Sequence, residues 1–112
     1  MDLVNDIIKL TERLNNSVKK LREYGIELAE TEKDYKITLR QEALKLRQEK
    51  GMPVTLISQI IYGVPDVADK RFKRDVAETM YNTAQENINS IKLQLRILES
   101  QIQREWGVNN GN

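Results

Sequence analysis

Two long stretches of this sequence place apolar residues on one helical face, and almost nothing in either stretch breaks a helix. In the first, steps of three and four link Leu3, Ile7, Leu10, Leu14, Val18, Leu21, Tyr24 and Leu28. Tyr35, Leu39, Ala43 and Leu46 continue the row. In the second, the row runs through Val67, Phe72, Val76, Met80, Ala84, Ile88, Ile91, Leu95, Leu98 and Ile102. Such spacing turns one face of a helix toward one partner and lies close to the 3.5-residue repeat of a left-handed coiled coil. Residues 2–49 hold no proline and a single glycine, and nothing interrupts residues 66–105. That glycine, Gly25, costs about 1 kcal/mol against alanine, so a bend or break of the first helix belongs there. Ile91, Leu93, Leu95 and Ile97 also alternate as a strand would. The unbroken helical pattern around them, without turn signals, favours a helix.

The stop after the first helix is well marked. Lys45, Arg47 and Lys50 supply cations where they suit the C-terminal end of the helix dipole. Gly51 can adopt the left-handed cap conformation, and Pro53 follows two residues later. Thr55 is then the expected N-cap of a short helix reaching Tyr62, and Gly63 ends it. A second start follows at Val64-Pro65-Asp66. The expected organisation is one helical domain over residues 1–112: a long helix at 2–49, a connection with a short helix at 50–65, a second long helix at 66–106, and a frayed Gly/Asn-rich tail at 107–112. The fold class is all-α, a long antiparallel, coiled-coil-like helical hairpin.

Of the 112 residues, 39% are hydrophobic and 31% charged. That is sparse for a globular core yet too regularly spaced for a disordered segment. A lone two-helix hairpin buries little, so assembly into a dimer or larger bundle is expected. Leu93 and Ile97, off the main row of the second helix, and Leu10 and Val18, widening the first, are the residues expected to form that oligomer seam. The chain has no cysteine and no histidine. The commonest general base and the thiolate ligands are therefore missing, which argues against an enzyme and against a resident metal or other cofactor. Glu23, Glu27 and Glu30 share a helix face and read as solvated acids. No phosphate-cradling loop or nucleophile motif points to a small-molecule substrate. The acidic start lacks the features of a signal peptide, and no run is long enough for a membrane span, so a cytoplasmic protein is expected.

The net charge of +1 hides an acid–base–acid pattern: −2 over residues 1–35, +5 over 36–74 and −2 over 75–112. In a hairpin, Lys45, Arg47 and Lys50 would meet Lys70, Arg71, Lys73 and Arg74 at the bent end. Those cations are candidates for binding an acidic protein surface or nucleic acid, although Asp66, Asp69 and Asp75 dilute them. Residues 53–74 have the outline of a helix-turn-helix, with Asp69 where that motif wants an apolar residue. Trp106, the only tryptophan, would staple the end of a bundle or serve as an exposed anchor for a partner.

Four stretches carry a resemblance: residues 24–39 (YGIELAETEKDYKITL), 46–55 (LRQEKGMPVT), 71–78 (RFKRDVAE) and 93–107 (LQLRILESQIQREWG). Together they resemble short helical proteins encoded by temperate phages and prophages of Gram-positive bacteria. The resemblance implies a role in the host cytoplasm during infection, accessory to phage DNA replication or recombination or blocking a host defence complex. It brings no catalytic motif with it. In outline the hairpin is also similar to small secreted proteins with a Trp-X-Gly turn. Here the connection reads Tyr62-Gly63-Val64 and Trp106 lies at the far end, which speaks against that kinship. The expected partners are further copies of the chain and another protein, with nucleic acid as the alternative.

Overall fold

A computed structural model describes residues 2–110. Helix α1 spans Leu3–Lys50, α2 spans Val54–Ile60, a 3-10 turn covers Ile61–Gly63, and α3 spans Pro65–Asn110. No strand occurs among the described residues. The protein is an all-α helical hairpin in which a short helix joins two long ones. None of the described helices is long and apolar enough to cross a membrane.

Local chemistry explains the ends. Asp2 caps α1: its carboxylate accepts the Val4 N–H at 3.1 Å and the Asn5 N–H at 3.2 Å, satisfying donors that a helix start leaves free. At the other end Gly51 has φ 60, which only glycine adopts without strain. The chain then folds back over the last turn, with the Met52 N–H donating to the Leu46 carbonyl at 3.2 Å. Arg47 donates from its guanidinium to the Met52 carbonyl at 3.0 Å. The short helix is not capped by Thr55, as the sequence suggests. Pro53, at φ −59 and ψ 144, is its N-cap, and no side chain bonds there. The Pro53 carbonyl takes the N–H groups of Leu56 and Ile57 at 3.1 and 3.0 Å. The proline ring pre-sets the entry, so no hydroxyl is needed. α3 continues through Gly107 to Asn110, past its expected end at residue 106. Of the expected frayed tail, residues 111 and 112 lie outside the described residues.

The chain divides into two compact units. One combines α1 up to Glu23 with α3 from Asn82; the other is Tyr24–Tyr81. In the first, Leu3, Leu10, Ile88 and Ile91 are buried, and the Asn87 amide donates to the Ser17 hydroxyl at 3.2 Å. In the second, Tyr35, Ile57, Ile61 and Val67 form a buried cluster. Leu39, Ala43, Leu46, Met52 and Val64 pack against it. That cluster joins all the elements of the bend and fixes how the chain turns.

The α3 seam follows an unbroken alternation of three and four: residues 67, 70, 74, 77, 81, 84, 88, 91, 95, 98 and 102 are all buried or half-buried. This corrects the row read from sequence in its first third. Phe72, Val76 and Met80 face outward, and Lys70, Arg74, Ala77 and Tyr81 take the seam positions instead. The reason is rotation: three successive steps of four, from 72 to 84, advance about 120° around a helix of 3.6 residues per turn and leave the face. On α1 the corresponding correction is smaller. Val18 is exposed, and half-buried Ser17 holds its place.

α1 does not break at Gly25. A Cβ on Gly25 would stand 3.2 Å from Cε1 of Tyr81, so the missing side chain makes room for a ring on α3. Replacing Gly25 by Ala gains about 1 kcal/mol of helix propensity but crowds that ring. In a double-mutant cycle monitored by urea unfolding, G25A is expected to stabilise by about 1 kcal/mol only in the Y81A background, with a smaller or reversed effect when Tyr81 is present. Equal effects in both backgrounds would show that the contact does not matter.

Burial also separates the two kinds of α3 position. Ile91 is 1% exposed and Phe72 is 67% exposed. I91A is expected to cost about 2–5 kcal/mol in the same assay, and F72A to stay within about 0.5 kcal/mol. A large loss for F72A would return Phe72 to the core.

Candidate functional site

The seven cations singled out by the sequence all fall within Tyr24–Tyr81, but most are already engaged. Lys45 lies 3.5 Å from Glu42, and Lys73 lies 3.3 Å from Asp69. Arg47 is tied to the Met52 carbonyl. The Arg71 guanidinium carbon sits 5.1 Å from the centre of the Tyr62 ring. Only Lys50 and Lys70 of the seven lack such a contact among the described residues, and Lys70 is half-buried on the α3 seam. The exposed pairs contribute little to stability, ~0.2–1 kcal/mol each. Their effect is to dilute the positive field.

Arg74 departs furthest from expectation. It occupies a seam position, with its side chain 22% exposed. Its Nε donates to Asp75 Oδ1 at 2.8 Å. Its guanidinium carbon stands 5.0 Å from the centre of the buried Tyr35 ring. The hydrogen bond to Asp75 raises the Arg74 pKa, with burial opposing and the charge of Asp75 adding to the rise. A raised pKa gives stability that is complete below the unfolded value and lost only as pH climbs through the folded one. Arg74 therefore stays charged at every pH short of strong alkali. Arg74 thus joins α3 to α1 through its stacking on Tyr35, while the hydrogen bond to the adjacent Asp75 orients the guanidinium.

The helix-turn-helix outline is altered in the same way. Its would-be recognition helix is the opening of the 46-residue α3, and Val67, Lys70 and Arg74 of that segment face the hairpin's own seam.

The residues expected to form an oligomer seam separate into two sets. Val18, Leu93 and Ile97 are exposed at 44%, 55% and 50%. Leu10 differs from these three: at 9% exposed it is largely buried within its own unit, on the hairpin seam. Leu10 and Ile97 nevertheless line a common open groove of ≈510 Å³ with Leu98, bordered by Asp6, Lys9, Arg13, Gln94 and Gln101. Trp106 does not staple the helix end, being 66% exposed.

Sequence reasoning missed a second outward surface. Phe72, Val76 and Met80 stand at steps of four on α3 and, with Asp75 and Thr79, line a shallow apolar depression of ≈310 Å³. The signal was available: extending the alternation of three and four backward from Ile91 and Ile88 reaches Ala77 and Val67 and skips all three residues. Glu23, Glu27 and Glu30 form no metal-binding cluster; no group of three potential ligands converges among the described residues. No family model matches this chain, and no curated protein or solved structure is significantly similar to it.

Structural and binding roles of the cations separate by experiment. R74A is expected to lower unfolding stability by about 1 kcal/mol through loss of the stacked, hydrogen-bonded guanidinium. K50A is expected to stay within about 0.5 kcal/mol. An R74A protein as stable as the parent would remove the seam role assigned to Arg74.

Proposed function

We propose that the chain is a non-enzymatic helical interaction module, which associates with further copies of itself and offers an outward apolar face to another protein. The observation that carries this reading is the set of large apolar side chains that the hairpin leaves outside, Phe72, Val76 and Met80 foremost. Single exposed apolar residues are ordinary; several on successive turns of one helix face mark contact surfaces.

The resemblance to proteins of temperate phages supplies the setting for the module: the host cytoplasm, acting on a host or phage protein complex, counter-defence included. The nucleic-acid alternative draws on the +5 charge of residues 36–74. It is the weaker reading because most of the seven cations have local partners.

Three measurements test the proposal. Sedimentation equilibrium at micromolar concentration is expected to show a species larger than a monomer, and a stable monomer would defeat the self-association half. Capture from host extract is expected to retain a protein partner, and F72E/M80E to lose it while leaving sedimentation unchanged. Labelled DNA and RNA at about 50 mM salt, where counter-ion release contributes most, are expected to show no binding. Binding that falls with added salt and vanishes in K50A/K70A/R71A would put nucleic acid in the protein partner's place.

A further inference from the structure

The groove beside Leu10, Ile97 and Leu98 has a rim that is complementary to itself. On the α1 side its two ends are Asp6 and Arg13; on the α3 side they are Gln94 and Gln101. Each pair is one heptad apart, so each lies along a single helix row about 10 Å long at 1.5 Å per residue. The midpoints fall between residues 9 and 10 and between 97 and 98, and Lys9, Leu10, Ile97 and Leu98 all line the groove. Neither Asp6 nor Arg13 makes an ion pair among the described residues, and Ile97 at the centre is 50% exposed.

We propose that this groove binds a second copy of the chain through a two-fold axis crossing the helices at its centre. The inference rests on the self-association reading and names its surface. Such an axis lays α1 antiparallel on α1 of the second copy, and α3 on α3. Asp6 then faces Arg13 of the second copy, and Arg13 faces its Asp6. Gln94 faces Gln101 of the second copy, a pairing suited to amides, each of which both donates and accepts. Ile97 comes under cover at the centre, with Leu10 and Leu98 beneath it. Lys9 of each copy lies beside the axis, where its long stem can carry the ammonium outward to water. A contact that is self-complementary in this way is isologous and closes as a dimer. A different protein would have no reason to match an acid and a base one heptad apart with the same pair reversed.

The test is a charge exchange followed by sedimentation equilibrium. D6R places arginine opposite arginine twice per dimer, and R13D places aspartate opposite aspartate twice. Each alone is expected to weaken self-association about tenfold. The equimolar mixture of the two variants is expected to restore affinity to within about threefold of the parent, because one copy then carries two arginines and the other two aspartates. The rescue should fade near 1 M salt. I97E is expected to abolish self-association. Asp2 still caps α1 in D6R, and circular dichroism verifies that each variant remains helical. Should either charge variant lose its helix, I97E alone decides: unchanged self-association overturns the proposal. Single variants as tight as the parent, or a mixture no tighter than its components, overturn this proposal and leave the self-association reading standing. A parent that is a stable monomer at micromolar concentration overturns both.

Discussion

Neither long helix has a reason to persist without the row of side chains it shares with the other. Helix propensity contributes little over such lengths, and most helical stability in proteins comes from packing an amphipathic face. Here that face is narrow. Its fully buried members, Val67 and Ile91, sit among half-buried positions filled by alanine, serine, threonine, tyrosine and even arginine. The seam gains its stability from continuity. A repeat of 3.5 keeps successive contacts on one line, where a repeat of four would rotate them away within a few turns.

That phase decides what faces outward, and so it decides where function can lie. Once Ile88 and Ile91 are committed to the seam, the alternation selects Tyr81, Ala77, Arg74, Lys70 and Val67, none of which except Val67 is a strong hydrophobe. The larger apolar residues of the same segment, Phe72, Val76 and Met80, are excluded from the interior although they would bury more area. A chain optimised only for the stability of its own hairpin would exchange the two sets. As they stand, less area is buried within the chain and an apolar surface is left outside it.

Much of the fold was legible because it depends on local rules. Absence of proline, the Gly51 stop and Pro53 after it define the helices to within a few residues, and the missing histidine and cysteine narrow the chemistry. What escaped depends on comparisons between helices. Choosing Phe72 over Ala77 as a core residue followed hydrophobicity where the governing quantity is angular phase. Gly25 looked like a weak point because its cost is local, whereas its use, clearance for the Tyr81 ring, lies on another element. Thr55 lost the cap to Pro53, which orients the backbone without a side-chain hydrogen bond. That Leu10 is buried on the hairpin seam while Val18 stays exposed was not legible, because a one-dimensional row does not show where one contact surface ends and the next begins. Leu10 and Ile97 were singled out from the sequence, but that Asp6, Arg13, Gln94 and Gln101 border the same groove was not legible, because it depends on how the two helices lie side by side.

The basic cluster shows why a charge run is weak evidence for a ligand. Cations at a helix start oppose the dipole, but that penalty is confined to the first turn, and Lys70 to Arg74 lie beyond it, with Asp66 inside it. Freed from that penalty, the cations serve the fold. Arg74 bridges Asp75 and Tyr35, Arg71 lies over Tyr62, and Lys73 returns to Asp69. The acids lie one and four residues away on the same helix, whereas the rings of Tyr62 and Tyr35 belong to other elements. Two of the acids that dilute the patch, Asp69 and Asp75, are thus partners of its cations. At the bend, the first turns of α3 offer the seam only Val67 as a large apolar side chain, and the long stems of Lys70 and Arg74 occupy the next positions, with Arg74 over Tyr35.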